Sequence, residues 1–353
     1  MNILIVKTSS LGDLFHTLPA LSDARKQIPD IHFDWVVEEN FAEVPVWHPA
    51  VRRIIPVAIR RWRKSWWRCF TSGEWRQFKN QLRATNYDLI IDAQGLIKSA
   101  LIAKLAKGSK VIGFDKNSVT ESMARFFYGQ QVFADLNQHA IVRMRWLFAE
   151  ALGYSVPDTK PDYGLNIMQF IAADRSQQQS LYVSGLTRKS VLFLHGTTWS
   201  SKHWLDERWG QLADLFTREG FSVFMPWSNE QERRRAERLA KDHASVHVLP
   251  RTTLGEIAQV IAQAAAIVAM DTGLGNLAAA LGKPIISLYG PTKISKIGIQ
   301  GEHVITLAAP TNCVCCEKPR CKNKAFSSDC MAAISAEQVY TLIEPHIKTH
   351  SLK

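Results

Sequence analysis

No stretch of this 353-residue chain approaches the roughly 18 consecutive apolar residues that cross a bilayer, which excludes a transmembrane helix. The opening run from Met1 to Thr8 turns polar too early for a signal peptide, so the expected location is the cytoplasm. A Gly-x-Gly-x-x-Gly fingerprint is missing after the first apolar run. That argues against a nicotinamide dehydrogenase without excluding a nucleotide. Internal repeats, low-complexity tracts and any recognised nucleic-acid module are absent as well. Acidic side chains are in short supply: 32 against 43 basic ones, a net charge of +11, which points to an anionic partner without saying whether it is nucleic acid, membrane or a phosphorylated substrate. The shortage is sharpest from Arg52 to Arg68, where seven basic residues and no acid accompany Trp62, Trp66 and Trp67.

What is present is ordinary for a globular protein, 46% hydrophobic and 21% charged, in a length that suits two domains with a core each. Short apolar runs rich in β-branched residues recur, each followed by a stretch with helical spacing, the pattern of parallel sheets flanked by helices. Strands are expected over residues 2–8, 32–39, 53–57, 87–94 and 110–114, then over 190–196, 221–227, 246–249, 265–271, 284–289 and 303–307. Polar, proline-bearing segments at 157–162 and 174–179 suit an interdomain connection, so the expected domains are 1–165 and 166–353. Ser335-Ala336-Glu337-Gln338 has the spacing of a capping box, which predicts a last helix ending near Pro345. The fold class is α/β, two doubly wound Rossmann-like domains whose strand ends are expected to line one shared cleft.

Candidate site residues follow strands. After the first, Ser10 can cap a helix, Gly12 keeps the backbone open to a ligand, and Asp13 lies in the first turn. Asp13 has two readings: it complements the helix dipole, or it accepts a proton from an incoming hydroxyl. The strongest pattern is Asp271-Thr272-Gly273-Leu274-Gly275-Asn276, where a buried strand ends in an acid, a hydroxyl and two glycines at the start of a helix. Bare amides at such a place bind a diphosphate, although a turn that needs glycine for its dihedrals is the plainer account. Thr197 and Thr198 follow another strand and lead to Lys202, a cation able to neutralise phosphate. Pro226-Trp227 leads to Glu232, whose carboxylate can accept hydrogen bonds from ribose hydroxyls. Gln94, at a strand end, suits an acceptor, and Arg60, Arg61, Arg63 and Lys64 suit its anionic groups, with the neighbouring tryptophans resting at a membrane interface. A solvated basic face is the alternative for that patch.

Cys313, Cys315, Cys316, Cys321 and Cys330 form a cluster. In a reducing compartment it is expected to carry no disulfide; four of the five could bind zinc, but the spacing is not that of a standard finger, and unligated thiols in a surface loop are the preferred reading. Cys69 reads as a small apolar filler.

The run Ile5-Val6-Lys7-Thr8-Ser9-Ser10-Leu11-Gly12-Asp13 with His16-Thr17-Leu18-Pro19-Ala20-Leu21 is one of a series. Asp34-Trp35-Val36-Val37-Glu38-Glu39, Ile55-Pro56-Val57 with Arg60-Arg61-Trp62-Arg63-Lys64, Ile91-Asp92-Ala93-Gln94-Gly95, Lys202-His203-Trp204 and Asp271-Thr272-Gly273-Leu274 follow in order. Together they resemble the lipopolysaccharide heptosyltransferase I family, within glycosyltransferase family 9. The resemblance implies a GT-B enzyme that moves heptose from ADP-heptose to the Kdo region of Kdo2-lipid A, with inversion and with no metal or other cofactor. It implies Asp13 as the base, Lys202 with Thr272 and Gly273 on the donor diphosphate, Glu232 on the ribose, and the basic patch, with Ser10, Gly12 and Gln94, on the acceptor side. A monomer resting on the inner face of the inner membrane, without nucleic acid, is the expected state. Two departures stand out: Asn276 occupies a place where family members usually carry His, and the cysteine cluster is closer to other branches of the family. Transfer to a different core acceptor is therefore the first alternative. A membrane- or nucleic-acid-binding protein and a nucleotide-sugar epimerase are the others.

Overall fold

The computed structural model describes residues 1–65, 67, 71–166, 168–170, 186–187, 189–310, 316–321 and 329–351. The chain divides into two compact units, Met1–Leu165 and Asn166–Lys353. The expectations placed on Trp66, Arg68, Cys69, Cys313, Cys315 and the segment 174–179 lie outside the described residues.

In the first unit the strands are β1 (Asn2–Val6), β2 (His32–Glu38), β3 (Val51–Val57), β4 (Asn86–Tyr87), β5 (Leu89–Asp92), β6 (Lys107–Gly108), β7 (Val111–Phe114) and β8 (Gln130–Val132). Six of them form a parallel sheet in the order β3-β2-β1-β5-β7-β8, while β4 and β6 pair separately. Ile3, Leu4, Ile5 and Val6 are all fully buried, which is why β1 reads as a continuous apolar run: helices cover both faces of such a sheet. On one face the helices Leu11–Gln27 and Ala140–Leu152 pack together, held by Arg145 Nε donating to Asp23 Oδ2 at 2.5 Å with both side chains buried.

At the edge of β2, Asp34 is completely buried and gathers much of the charge that the sequence concentrates here. Its Oδ1 accepts from Arg52 at 3.1 and 3.0 Å, and its Oδ2 from Arg53 Nε at 3.0 Å and Tyr87 Oη at 2.9 Å. Two of the cations that open the basic run are thus structural. Trp62 is half-buried against the core: its ring meets Trp75 and Phe78 at 6.0 and 5.8 Å, and its Nε1 donates to Glu74 Oε2 at 2.7 Å. Trp67 is 67% exposed.

The second unit repeats the plan with β9 (Ser190–Leu194), β10 (Ser222–Met225), β11 (Val246–Val248), β12 (Ala266–Met270), β13 (Ile285–Tyr289) and β14 (Val304–Ala308), all parallel, in the order β11-β10-β9-β12-β13-β14. Its core centres on Trp209, whose ring lies tilted at 4.9 Å from Phe193 and edge-on at 5.0 Å to Trp204, whose Nε1 donates to Ile334 O at 3.0 Å. The last helix is Ala336–Ser351, and the box is formed: Ser335 N donates to Gln338 Oε1 at 3.0 Å and Gln338 N to Ser335 Oγ at 3.1 Å. The helix runs through Pro345 instead of ending there. Burial of Ile343 and Ile347 on either side holds the extra turn to the core despite the lost backbone bond. Strand β8 and the short β4–β6 pair were not expected from the sequence; at two or three residues they are too short to show a period. No helix among the described residues is long and apolar enough to cross a membrane.

Removing the carboxylate at Asp34 strands two guanidinium groups and a phenol at the sheet edge. Asp34→Ala is expected to lower the unfolding free energy of the first unit by about 3–5 kcal/mol, read as a shift in its urea midpoint; a loss below about 1 kcal/mol would contradict the structural role assigned to Arg52 and Arg53.

Candidate active site

A parallel sheet wound in both directions from its first strand has a crevice where the winding reverses, at the carboxyl ends of the two strands involved. Here these are β1 beside β5 in the first unit and β9 beside β12 in the second.

In the first unit, β1 ends at Val6 and the chain runs through Lys7, Thr8 and Ser9 to the helix Leu11–Gln27, with Ser10 as N-cap and Gly12 half-buried in the first turn. Asp13 reaches back from that turn, its Oδ2 accepting from Ser10 N at 2.7 Å and Ser10 Oγ at 2.8 Å. Burial works to raise the Asp13 pKa, but the charges of Lys7 and His16 and the two bonds from Ser10 outweigh it and hold the carboxyl below the usual carboxylate range. Lys7 is itself buried, and its Nζ donates to Ala93 O at 3.0 Å across the gap between β1 and β5. Burial depresses the Lys7 ammonium, against the opposing pull of Asp13 and Asp92.

Asp92, fully buried at the end of β5, accepts at Oδ1 from the amides of Gln94 and Gly95 at 2.9 and 3.2 Å, and at Oδ2 from Ser99 Oγ at 2.9 Å and Tyr128 Oη at 2.7 Å. Burial raises its pKa despite these four bonds. The phenol reaches Asp92 because residue 113 is glycine: a Cβ there would fall inside the Tyr128 ring. Gln94 Oε1 accepts from the amides of Thr8 and Ser9 at 3.0 and 3.1 Å, so this side chain ties the two strand-end loops together.

The basic turn divides in two. Arg61 is already matched, its guanidinium donating to Glu39 at 3.1 Å and to both oxygens of Glu74 at 2.9 and 2.8 Å. Arg60 lies over the Phe41 ring at 5.1 Å, and its backbone amide donates to Glu38 Oε1 at 2.9 Å. Arg60, Arg63 and Lys64 are exposed, and none forms an ion pair among the described residues.

In the second unit, β12 ends at Asp271, and Thr272 in extended backbone caps the helix Gly273–Ala280. Lys202 Nζ donates to Asp271 Oδ2 at 2.7 Å, with both side chains about one-tenth exposed, and lies 4.4 Å from the centre of the Trp199 ring. The ammonium is therefore anchored beside the amides of Thr272, Gly273 and Leu274. Beyond β9, His195 is buried and bonded through Nε2 to Pro226 O at 3.1 Å; burial pulls its pKa down to about 4, so the ring is neutral. Thr197 is half-buried and Thr198 exposed. Glu232 faces the same strand end. An added Cβ on Gly196 would stand 2.6 Å from its Oε1, while its Oε2 accepts from Ser228 N at 2.7 Å and Ser228 Oγ at 2.8 Å. Asn276 is buried, and its Nδ2 donates to Thr272 O at 3.2 Å, so its amide NH2 serves the turn itself.

Each unit thus gathers its own set: Ser10, Gly12, Asp13 and Gln94 in one, Thr197, Thr198, Lys202, Glu232, Asp271, Thr272, Gly273, Leu274 and Asn276 in the other. Lys7, Trp199 and Ser228 were not singled out from the sequence. For Lys7 the sign was available, a lysine directly after the fully buried apolar run of residues 3–6. Among the described residues no three His, Cys, Asp or Glu side chains are gathered as metal ligands; Cys316 is exposed, Cys321 half-buried and Cys330 buried.

The model of glycosyltransferase family 9 (heptosyltransferase) matches residues 75–327. The chain belongs to that family. Among its relatives, lipopolysaccharide heptosyltransferase 1 of Pseudomonas aeruginosa is 45% identical over 98% of this chain and 97% of its own length, and the Escherichia coli K12 protein of the same name is 46% identical over 88% and 94%. Among solved structures, the E. coli heptosyltransferase WaaC with ADP aligns at a TM-score of 0.84 and 42% identity over 98% of this chain and all of its own. The same enzyme with ADP-2-deoxy-2-fluoro heptose aligns at 0.81. The architecture is that of the GT-B glycosyltransferases, as expected from the sequence, and the family is one of enzymes.

Lys7→Met removes the charge that does most to hold Asp13 ionised. The Asp13 carboxyl is expected to titrate at higher pH in that variant, measured by carbon-detected NMR of the side chain. An unchanged titration would show that the Ser10 bonds suffice.

Proposed function

We propose that this chain transfers L-glycero-D-manno-heptose from ADP-heptose to the Kdo of Kdo2-lipid A in lipopolysaccharide inner-core synthesis, with inversion and without a metal. The observation that carries this reading is the extent of the likeness to proteins named lipopolysaccharide heptosyltransferase 1, which runs through both units at 45% identity. The related structures hold ADP and an ADP-heptose analogue, and the proposed donor is of that chemistry.

In this reading Asn166–Lys353 holds the donor. Lys202 and the Thr272–Leu274 amides neutralise the diphosphate, and Asp271 fixes the ammonium in place. Glu232, with Thr197 and Thr198, meets the ribose side. Asn276, occupied within its turn, contributes by shaping the helix start. Met1–Leu165 takes the acceptor, with Arg60, Arg63 and Lys64 on its anionic groups, Arg61 through its carboxylate partners shaping the same turn, and Ser10, Gly12 and Gln94 framing Asp13.

The reaction is a single displacement. The acceptor oxygen forms a bond to the anomeric carbon as the bond to the diphosphate breaks; its proton passes to an Asp13 oxygen, and ADP leaves with the bonding pair. A carboxylate with a depressed pKa is a weak base, so it takes that proton late, when bonding to an oxocarbenium-like carbon has already made the hydroxyl acidic. Charge building on the diphosphate is met by a cation that is already oriented, which costs no reorganisation during the reaction. The working state proposed is a monomer at the inner face of the inner membrane.

The cysteine cluster, nearer to other branches of the family, favours a different core acceptor as the second reading. Purified protein given ADP-heptose with Kdo2-lipid A, and in parallel with an acceptor already carrying one heptose, separates the two. Transfer to the first, at least about tenfold faster, is expected. Transfer to the second alone would sink the proposal.

A further inference from the structure

The first unit carries an apolar surface that neither the core nor the candidate site uses. On the helix Ile97–Leu105, Ala100 and Ala103 face inward, while Ile97 and Leu101 lie one turn apart on the outer side at 38% and 46% exposure. The 3-10 turn Ser122–Phe127 packs beside that helix and presents Met123 and Phe126 at 57% and 66%. Four large apolar side chains on two adjoining segments are more than the scattered exposure any protein shows.

Charge identifies what covers them. Neither segment contains an acid, and residues 93–114 carry four lysines and no Asp or Glu. Lys104 continues the Ile97–Leu101 stripe by another turn, Lys98 stands beside it, and the Arg125 guanidinium lies 4.7 Å from the centre of the Phe126 ring. Two acids flank the face: Glu121, bound to the Ile97 amide at 2.7 Å at one end, and Glu38, near enough to feel the Lys98 charge. Apolar side chains that stand out among long, flexible cations match a phospholipid surface: the former enter the acyl boundary and the latter reach its phosphates.

We propose that this face docks the protein on an anionic bilayer, through insertion of Met123 and Phe126 with Leu101 and Ile97, and pairing of Lys98, Lys104 and Arg125 with lipid phosphate. It rests on the reading above in that a lipid acceptor has to be met at a membrane.

The test uses the full chain and sedimentation with large vesicles, either phosphatidylglycerol with phosphatidylethanolamine or phosphatidylcholine alone. Wild type is expected to partition onto the anionic vesicles at least about tenfold better than onto the neutral ones. Met123→Ser combined with Phe126→Ser should reduce anionic partition by about tenfold or more, with the thermal unfolding midpoint unchanged. Lys98→Gln combined with Lys104→Gln should erase the preference for anionic lipid. Transfer to an acceptor stripped of its acyl chains should be unaltered in both variants, and its absence in the wild type, with vesicle binding intact, would fell the functional reading and leave the surface standing. Equal partition of wild type and the serine variant, no partition of wild type, or self-association that the serine variant abolishes would overturn the proposal.

Discussion

An open parallel sheet covered by helices on both faces has to reverse its winding somewhere, and in both units of this chain it does so beside the first strand, between β1 and β5 and between β9 and β12. The reversal sends the following connections to opposite faces and leaves the strand ends open. Everything assigned to chemistry depends on that constraint. The same order appears in both sheets, yet the open ends are furnished differently: one with a carboxylate held ionised, the other with a cation held in place.

Both groups are prepared by partners, one six residues away in the chain and the other 69. Lys7 spans the gap to Ala93 and keeps Asp13 charged in a site where burial alone would favour the neutral acid. Asp271 does the positional equivalent for Lys202, fixing its ammonium at 2.7 Å with both side chains about one-tenth exposed. The basic run that looked like one patch is three things: Arg52 and Arg53 fastened to Asp34, Arg61 fastened to Glu39 and Glu74, and Arg60, Arg63 and Lys64 left exposed.

The eleven expected strands are all present because each is an apolar run long enough to fill a covered sheet, and strand ends are then found by counting. Asp13, Lys202 and the Asp271–Asn276 segment were legible for the same reason, being polar groups placed where such runs stop. What remained hidden depends on tertiary pairing. No pattern along the chain shows that Trp62 is packed on Trp75 and Phe78, that Gln94 spends its carbonyl on the Thr8 and Ser9 amides, or that Asn276 donates to Thr272 O. Pro345 misled because local propensity marks a helix end, while burial of Ile347 carries the helix past it.

The central claim is that the acceptor is activated by one unit and the donor held by the other. The most direct measurement is the pair of values, turnover and ADP affinity, for Asp13→Asn, which keeps the size of the side chain and removes its basicity. The account predicts a fall in kcat of at least about 10²-fold with calorimetric ADP binding within about twofold of wild type. Turnover preserved in this variant, or ADP binding lost along with it, would contradict the assignment.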